Sequence, residues 1–426
     1  MNKRLKNGIM KELTYEPLCL EIEDGFQKCS VEGVLIWSNP KKRILKNKEV
    51  HCGIAFRNLD DLQNLFVRRL LELNPDFIKT QLKEILELAS DKPLLGEKIK
   101  HFFLNSVREY LKNITDLSHK FEKGLMNQQA LQKIFDELSY QITFEGDEFV
   151  EESESKLLKQ AIKKQFRTMV GTWAYQSLIM KRAYEKPRGY PGDYETLERI
   201  YELTPMSKGI GACFDWFFLY NPYADAVRAR KDKMRHMLEK FIKETSQKSL
   251  KFLNLASGAC REIRELELDE LPADRYLRFI CVDHDQEAID FSKQLVNPPS
   301  QVQIRFITDN ILNFSRDPDR YKDIFGPQNF IYSIGLADYL PNRVLRKLVA
   351  FCFDLLLPKG KFVIAHKDRK ADRNAPIPPD WFCDWKFFER DSEELLTLIK
   401  ESTKTNTFPL VESDNTGKIL FFTVTK

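Results

Sequence analysis

Two spacings of apolar residues divide this chain into strand-rich and helical stretches. β-Branched and aromatic runs at 31–37 and 50–56 predict strands near the N-terminus. From about residue 60 to about residue 245, apolar positions recur mostly every three or four residues, which predicts helices. Beyond residue 250, short apolar runs alternate with helical stretches, and this alternation is typical of a parallel sheet with helices on both faces.

These patterns predict an α/β fold in four parts. The parts are a small β-rich module at 1–60, a helical region at 61–150, a helical cap at 151–245 and a Rossmann-like domain at 246–426. The acidic stretch 145–154 is typical of a solvated linker or a helix start. Two final apolar runs flank a turn at Asn415–Gly417 and predict a C-terminal β-hairpin. The predicted strands of the last domain are 252–255, 278–282, 303–307, 330–334, 361–365, 408–411 and 419–424.

The first strand of this domain leads into a loop of small residues. Ala256, Ser257 and Gly258 lie where the strand turns into a helix, and small side chains there let a cofactor approach the backbone. The usual glycines are only partly kept, because Ala256 and Cys260 occupy positions where glycine is more common. The loop therefore predicts a cofactor site but does not establish one alone.

Polar residues follow each of the next three strands. Asp283, with His284 beside it, ends the second strand, where a carboxylate can accept hydrogen bonds from ribose hydroxyls. Asp285 is assigned to capping the next helix. The following two strand ends supply further candidates for the same crevice, for which ordinary turn chemistry is the alternative. These candidates are Asp309 and Asn310 after the third strand and Ser333 and Gly335 after the fourth.

Composition and charge narrow the classes of partner. The net charge is only +4, from 67 basic and 63 acidic residues, so a nucleic-acid partner is not expected. No run of about 18 apolar residues occurs and no apolar core follows the basic N-terminus, so we expect neither a membrane span nor a signal peptide, and a cytoplasmic location. The eight cysteines form no C-x-x-C pair, which indicates reduced thiols and no metal site.

Residues 250–426 resemble class I S-adenosylmethionine (SAM) dependent methyltransferases, whose adenosine sites are built from these loops. The closer resemblance, over about 160–426, is to the bacterial group named for 3-hydroxypalmitic acid methyl ester biosynthesis. It implies SAM as cofactor and methyl transfer to a small or lipid-like acceptor, including a fatty-acid carboxylate. Ala256 and Cys260 depart from the pattern, as does His366-Lys367-Asp368 after the fifth strand. The resemblance is carried by Lys186–Tyr194, Ser333–Leu340 and Asp384–Arg390.

In this resemblance the loop at 186–194 belongs to a helical cap over the cofactor. Arg188 could meet the carboxylate of the methionine moiety, and Tyr190 could cover the sulfonium by cation–π attraction. Asp193 could hold the amino group. The alternative is a rigid turn between helices with a capping aspartate.

Two residues are candidates for a direct role in methyl transfer. A carboxylate acceptor needs no base, whereas a hydroxyl or amine does, and His366 at a strand end is the best-placed base. A core histidine is the alternative. Tyr339 lines the same edge and is expected to face the transferred methyl group. Trp381, Trp385 and Phe388 are expected to wall an acyl pocket or to pack in the core.

The N-terminal module loosely resembles the later strands of a PilZ-type β-barrel. Cyclic di-GMP is not expected as a ligand, because Lys3-Arg4 alone stands where such domains carry an arginine pair. A docking or oligomerisation module is the other interpretation, and a homodimer is compatible with it. Alternatives to a small-molecule methyltransferase are a SAM-binding sensor without turnover and a protein or RNA methyltransferase.

Overall fold

The computed structural model describes residues 18–23, 28–38, 52–57, 61–268, 271–314, 316–372, 378–404 and 408–426. These residues divide into two compact units, Met1–Leu125 and Met126–Lys426. Lys3 and Arg4 lie outside the described residues, so the cyclic di-GMP expectation has no structural counterpart.

The first unit contains a small antiparallel sheet followed by helices. The three strands pair in the order β1-β2-β3, with a bulge in β2 between Leu35 and Trp37. Asn74 caps α2 with Pro75 in its first turn, so the first helix ends where the Asn-Pro pair predicts. The strands are β1 Leu18–Glu23, β2 Lys28–Ser38 and β3 Cys52–Arg57. The helices are α1 Asp61–Leu73, α2 Pro75–Gln81, α3 Lys83–Leu88, α4 Pro93–His101 and α5 Arg108–Glu122, with a π-helical turn at Phe102–Val107.

The second unit begins with six helices. They are α6 Gln128–Val150, α7 Lys156–Ala174, α8 Leu178–Glu185, α9 Tyr194–Glu202, α10 Ile210–Leu219 and α11 Pro222–Glu244. The acidic stretch 145–154 is mostly helix and not a linker, because α6 continues to Val150. Phe135 of α6 packs edge-to-face on Phe214 of α10 with ring centres 4.5 Å apart, and this contact holds α6 in the second unit.

A seven-stranded sheet follows, in the order β6-β5-β4-β7-β8-β10-β9. The first five of these strands are parallel, and β10 runs antiparallel between β8 and β9. The strands are β4 Ser249–Leu255, β5 Tyr276–Asp283, β6 Val302–Thr308, β7 Gln328–Ser333, β8 Leu356–Lys367, β9 Leu410–Ser413 and β10 Ile419–Thr425. The helices between them are α12 Arg261–Arg264, α13 Gln286–Leu295, α14 Pro318–Phe325, α15 Asn342–Leu355, α16 Pro378–Cys383 and α17 Ser392–Thr403.

Both faces of this sheet are covered by helices. Phe252 and Phe330 point to the face where Leu238 of α11 packs. Leu253 and Ile331, one position along each strand, belong to the core on the other face, with α15 and α17. The predicted Rossmann-like α/β fold with a C-terminal β-hairpin is therefore confirmed. Among the described residues, no helix is long and apolar enough to cross a membrane.

The sheet order places a switch point between β4 and β7. From β4 the chain continues to β5 and β6 on one side, and β7 and β8 lie on the other. In open α/β sheets the crevice at such a point, outside the carboxyl ends of the strands, is where ligands bind.

Candidate functional site

The loop after β4 has the backbone of a glycine-rich turn without most of its glycines. Ala256, Gly258 and Cys260 adopt φ angles of 55°, 51° and 50°. This left-handed region costs a residue with a side chain about 1–2 kcal/mol. The chain therefore keeps the turn conformation at the two positions where the sequence departs from glycine.

The buried carboxyl group of Glu262 links the helix after this loop to the sheet. Glu262 of α12 accepts hydrogen bonds from Asn254 Nδ2 at 2.7 Å and from the Tyr332 hydroxyl at 2.8 Å. Burial raises the pKa of Glu262, and these hydrogen bonds oppose the rise. Since Asn254 and Tyr332 lie on neighbouring strands, the network fixes α12 to both sides of the switch point.

Asp283 joins three consecutive loops. Its Oδ2 accepts the Gly258 N–H at 2.7 Å, and its Oδ1 accepts the Asp285 N–H at 2.9 Å. Its own carbonyl accepts the Asp309 N–H at 2.9 Å. Gly258, Asp283 and Asp309 are therefore hydrogen-bonded neighbours at one edge of the sheet, as their strand-end positions predict.

The two residues after Asp283 have different partners. Asp285 caps α13 by accepting the Glu287 N–H at 3.0 Å, which confirms the predicted cap. His284 is half-exposed, and its Nδ1 lies 3.3 Å from Asp283 Oδ1. The hydrogen bond to Asp283 raises the pKa of His284, and burial partly opposes this.

After β6, both polar candidates have partners within the protein, in the turn itself and, for Asp309, also in α14. Asp309 accepts hydrogen bonds from the Tyr321 hydroxyl at 2.5 Å and from Asn313 Nδ2 at 2.8 Å. Asn310 caps the 3-10 turn Ile311–Asn313 by accepting the Leu312 N–H. The structure thus gives both side chains structural partners, which the sequence left as the alternative to a direct role in the crevice.

The end of β7 carries the candidate residues Ser333 and Gly335. The Ser333 hydroxyl is buried and donates to the carbonyl of Leu255 at 2.8 Å, so it ties β7 to β4. Gly335 lies next to a buried guanidinium, since a Cβ there would be in ordinary contact with Nη2 of Arg230 at 3.6 Å. Arg230, on α11, was not among the residues that the sequence singled out.

Charged contacts fix the first residues of the loop at 186–193. Lys186 Nζ donates to the Asp384 carboxylate at 3.2 Å. Arg188 pairs with Glu287 and lies 3.6 Å from Asp285. The Arg188 guanidinium, which the sequence predicted to bind the methionine carboxylate, therefore already pairs with carboxylates of the protein.

Asp193 takes the structural role that was its alternative. Its Oδ1 accepts the Thr196 N–H at 2.9 Å and caps α9. The guanidinium of Arg182 pairs with the same carboxylate at 2.8 Å. With a cap and an ion pair, this buried side chain is engaged within the helical region and is not aimed at an amino group in the crevice.

Tyr190 lies between His284, at the end of β5, and Tyr339, after β7. Its ring centre is 5.4 Å from that of His284 and 6.5 Å from that of Tyr339. Burial raises its pKa, and the charges of Asp283 and Asp285 raise it further. The phenol is therefore neutral and its ring is placed over the Asp283 end of the crevice.

A partly open cavity of about 70 Å³ adjoins this point. Its walls come from α9, from α10 and α11, from the loops after β7 and β8, and from residues 379–387. Most lining residues are apolar or aromatic, among them Leu197, Ile200, Phe218, Tyr223, Ala224, Val227, Tyr339, Trp385 and Phe387. The charged lining residues are Arg230, Asp338, Lys367 and Lys418.

Tyr339 lines the cavity and His366 does not. The Tyr339 hydroxyl accepts a hydrogen bond from Trp385 Nε1 at 2.6 Å, and burial raises its pKa, so it is a neutral donor and not a base. His366 lies behind Asp338, with Nδ1 2.6 Å from Asp338 Oδ1. Although burial acts to raise the pKa of Asp338, His366 and the Lys367 N–H outweigh it and lower that pKa.

The segment at 384–390 supports the site without entering the crevice. Arg390 donates from Nη1 to the carbonyl of Ala337 at 3.0 Å and from Nε to Asn342 at 2.8 Å, so it clamps the turn that carries Tyr339. Trp381 is buried against Phe166, whereas Trp385 lines the cavity. Phe388 lies outside the cavity wall. The predicted acyl pocket thus shares only Trp385 with the observed cavity.

Two buried polar atoms near the crevice are suited to a ligand. Among the described residues, Ser257 Oγ and Arg230 Nε have no hydrogen-bond partner. Buried polar atoms normally have partners, so a polar molecule in this crevice would complete them. No cluster of metal-ligating side chains occurs in the part of the chain that the structure covers.

Comparison with known proteins gives structural likenesses only. No protein-family model and no curated protein matches the chain. A Bordetella parapertussis structure described as a possible exported protein is 17% identical, covering 68% of this chain and 88% of its own, with a TM-score of 0.43. The magnesium protoporphyrin IX methyltransferase ChlM of Synechocystis with bound SAH is 9% identical, covering 58% and 97%, with a TM-score of 0.37. The N-methyltransferase NodS of Bradyrhizobium japonicum, in complex with SAH, is 16% identical, covering 55% and 97%, with a TM-score of 0.34.

Proposed function

We propose that the second unit is a SAM-dependent methyltransferase that acts on a small or lipid-like acceptor. The observation that carries this proposal is the junction of Gly258, Asp283 and Asp309 at the switch point of the sheet, beside a partly open and mostly apolar cavity. Arg230 and Gly335 line this cavity and also lie at the end of β7, so a cofactor and a second reactant could meet there. Location in the cytosol and a homodimer stay predictions.

The residues of the crevice fit SAM. Asp283 accepts two backbone N–H groups and the His284 ring N–H, and a carboxylate has about four acceptor sites, so capacity for one ribose hydroxyl remains. The unpartnered Ser257 Oγ is available to a polar group near the left-handed loop. Asp309 and Asn310 support this edge through their turns, and we assign no side-chain contact with adenine to them.

We assign the carboxylate of the methionine moiety to Arg230 and not to Arg188. Arg230 is buried, and its guanidinium contacts Tyr201, whose pKa burial raises to about 12. It also lies against Gly335 at the end of β7. A buried guanidinium at the crevice is a strong partner for a carboxylate. Arg188, in contrast, connects its loop to α13 through an ion pair with Glu287.

Bound SAM supplies a methyl group on a sulfonium, which an acceptor attacks in line. The chain's own residues hold the reactants and exclude water. Tyr190 offers a neutral aromatic face next to the crevice, which favours a cation. Tyr339 can donate a hydrogen bond to the acceptor. His366 positions Asp338, and the cavity walls admit an apolar acceptor, of which the fatty acid that the resemblance implies is one example.

Thermal unfolding with SAM tests the cofactor assignment. We expect SAM to raise the melting temperature of the wild-type protein, because a ligand of the native state stabilises it. Asp283→Asn and Arg230→Ala should each weaken SAM about 10- to 100-fold, since hydrogen bonds to charged groups contribute about 1.5–3 kcal/mol. Asp290→Asn, on the exposed side of α13, is the matched control and should leave the rise unchanged.

If SAM raises the melting temperature of Asp283→Asn as much as that of the wild-type protein, the ribose assignment is wrong. The same result for Arg230→Ala would show that another residue binds the methionine carboxylate. Turnover is measured separately, as release of S-adenosylhomocysteine with cell lipid extract or with RNA. Release with lipid extract alone supports the proposal. Binding without release in any extract would make the protein a SAM sensor.

A further inference from the structure

A second and more open cavity, of about 820 Å³, lies between α6 and the C-terminal half of α10. The described residues that line this α6–α10 groove all belong to the second unit. None of them also lines the cavity beside Tyr339. The groove is therefore a candidate site of its own, with room for a ligand larger than the cavity at Tyr339 can admit.

The α6 side of the groove is a polar stripe. Gln128, Gln132, Asp136 and Tyr140 recur every four residues, so their side chains lie on one face of the helix. Gln132 Nε2 donates to Asp136 Oδ1 at 2.8 Å and to the carbonyl of Cys213 at 3.1 Å. Gln128 Nε2 donates to Cys213 Sγ at 3.2 Å. Both amide nitrogens are thus engaged, whereas Gln132 Oε1 has no hydrogen-bond partner among the described residues.

The groove carries negative charge. Asp136 is the one charged residue among its described lining residues. Burial raises the pKa of Asp136 to about 6, and the hydrogen bond from Gln132 opposes this rise, with no contribution from a cationic side chain in the described part of the chain. At neutral pH the carboxylate is therefore ionised while partly buried. Partial burial of a charge without a counter-charge is unfavourable, and a cation in the groove would offset this cost.

The α10 side of the groove presents aromatic rings. The ring centres of Trp216 and Tyr220 are 5.3 Å apart with their planes inclined by 38°, and Tyr220 is 56% exposed. Tyr140 packs roughly edge-to-face on Phe217 with ring centres 4.8 Å apart, which joins the two sides of the groove. The faces of tryptophan and tyrosine rings attract a cation within about 6 Å of the ring centre, and quaternary ammonium groups are bound in this way.

We propose that the α6–α10 groove binds an organic cation, with a methylated ammonium group against the rings of Trp216 and Tyr220 and its charge balanced by Asp136. This inference goes beyond the proposed function and does not depend on it. A neutral polyol is the other ligand that rings and amides could bind. It needs donors as well as acceptors from the protein, and the amide nitrogens of Gln128 and Gln132 are already engaged.

Calorimetric titration of the full chain with choline, and with 3,3-dimethylbutan-1-ol as its uncharged analogue of the same shape, tests the inference. We expect choline to bind at least about tenfold tighter than the alcohol. Asp136→Asn should abolish this preference, and Trp216→Leu should weaken choline binding at least about fivefold. Glu137→Gln is the matched control, because Glu137 is an exposed carboxylate of the same helix that does not line the groove.

Equal binding of choline and the alcohol by the wild-type protein, or binding of neither, would overturn the inference, and this comparison stands even if a variant does not fold. An unchanged preference in a folded Asp136→Asn variant would do the same. Tighter binding of glucose than of choline would assign the groove to a neutral polyol instead. Asp283→Asn, which should weaken SAM, should bind choline as the wild-type protein does, and loss of choline binding in that variant would place choline in the crevice and overturn the inference.

Discussion

Ala256 and Cys260 carry the backbone strain of the loop after β4. Both hold a left-handed conformation that glycine adopts at little cost. Their side chains differ in surroundings, because Cys260 is buried in the core with Ile263 and Cys281, whereas Ala256 is only partly buried. The strain persists because α12 and β4 fix the loop at both ends.

Replacing each residue by glycine should separate strain from packing. We expect Ala256→Gly to raise the free energy of unfolding by up to about 1 kcal/mol, since relief of strain exceeds the added freedom of the unfolded chain. Cys260→Gly should not stabilise, because it removes a buried side chain. Urea unfolding measures both variants. A loss of stability in Ala256→Gly would show that this backbone is not strained.

Single residues also show where the sequence stops being informative. The Asp285 cap was predictable, because a cap depends on a neighbour two positions along the chain. The partners of Arg188 and Asp309 were not, since Glu287 and Tyr321 come from other segments. Arg230 gave no signal at all, because a mid-helix arginine acquires its importance only when α11 packs over β7.

At the scale of elements, the alternation of strands and helices predicted the sheet correctly. Strand positions follow from local runs of apolar residues, so each predicted strand of the last domain overlaps an observed one. The loop at 186–193 was recognised as rigid from its prolines and glycines. Its contacts with Asp384, Glu287 and Trp385 were not predictable, since they join segments about 100 to 200 residues away.

Gly192 allows this loop to lie against the cavity wall. A Cβ at Gly192 would lie 2.6 Å from Cζ2 of Trp385, closer than packed atoms allow. We therefore expect Gly192→Ala to lower the free energy of unfolding by about 1–3 kcal/mol and to change tryptophan fluorescence as Trp385 shifts. Gly189→Ala is the matched control, because its Cβ would meet nothing within 4 Å and only its φ of 87° is unfavourable. Equal fluorescence changes in both variants would contradict the packing argument.

At the scale of the whole molecule, every residue proposed to bind a ligand lies in Met126–Lys426. We expect residues 126–426 alone to unfold cooperatively and to show the same SAM-induced rise in melting temperature as the full chain. A piece starting at residue 151, the predicted start of the cap, lacks Phe135 and the Asp147 carboxylate that accepts the Trp381 Nε1–H at 2.7 Å. It should be less stable by several kcal/mol. Equal stability of the two pieces would restore the predicted boundary.

The place of β10 inside the sheet has a consequence for the order of assembly during synthesis. The loops that form the crevice follow β4 to β7 and have left the ribosome while β8 still has an open edge. Only when residues 419–425 emerge can they pair with residues 361–367 and close that edge. Lys418 and Ile419, which line the cavity, arrive with them. A nascent chain would therefore form the loops of the proposed cofactor site before the cavity beside them is complete.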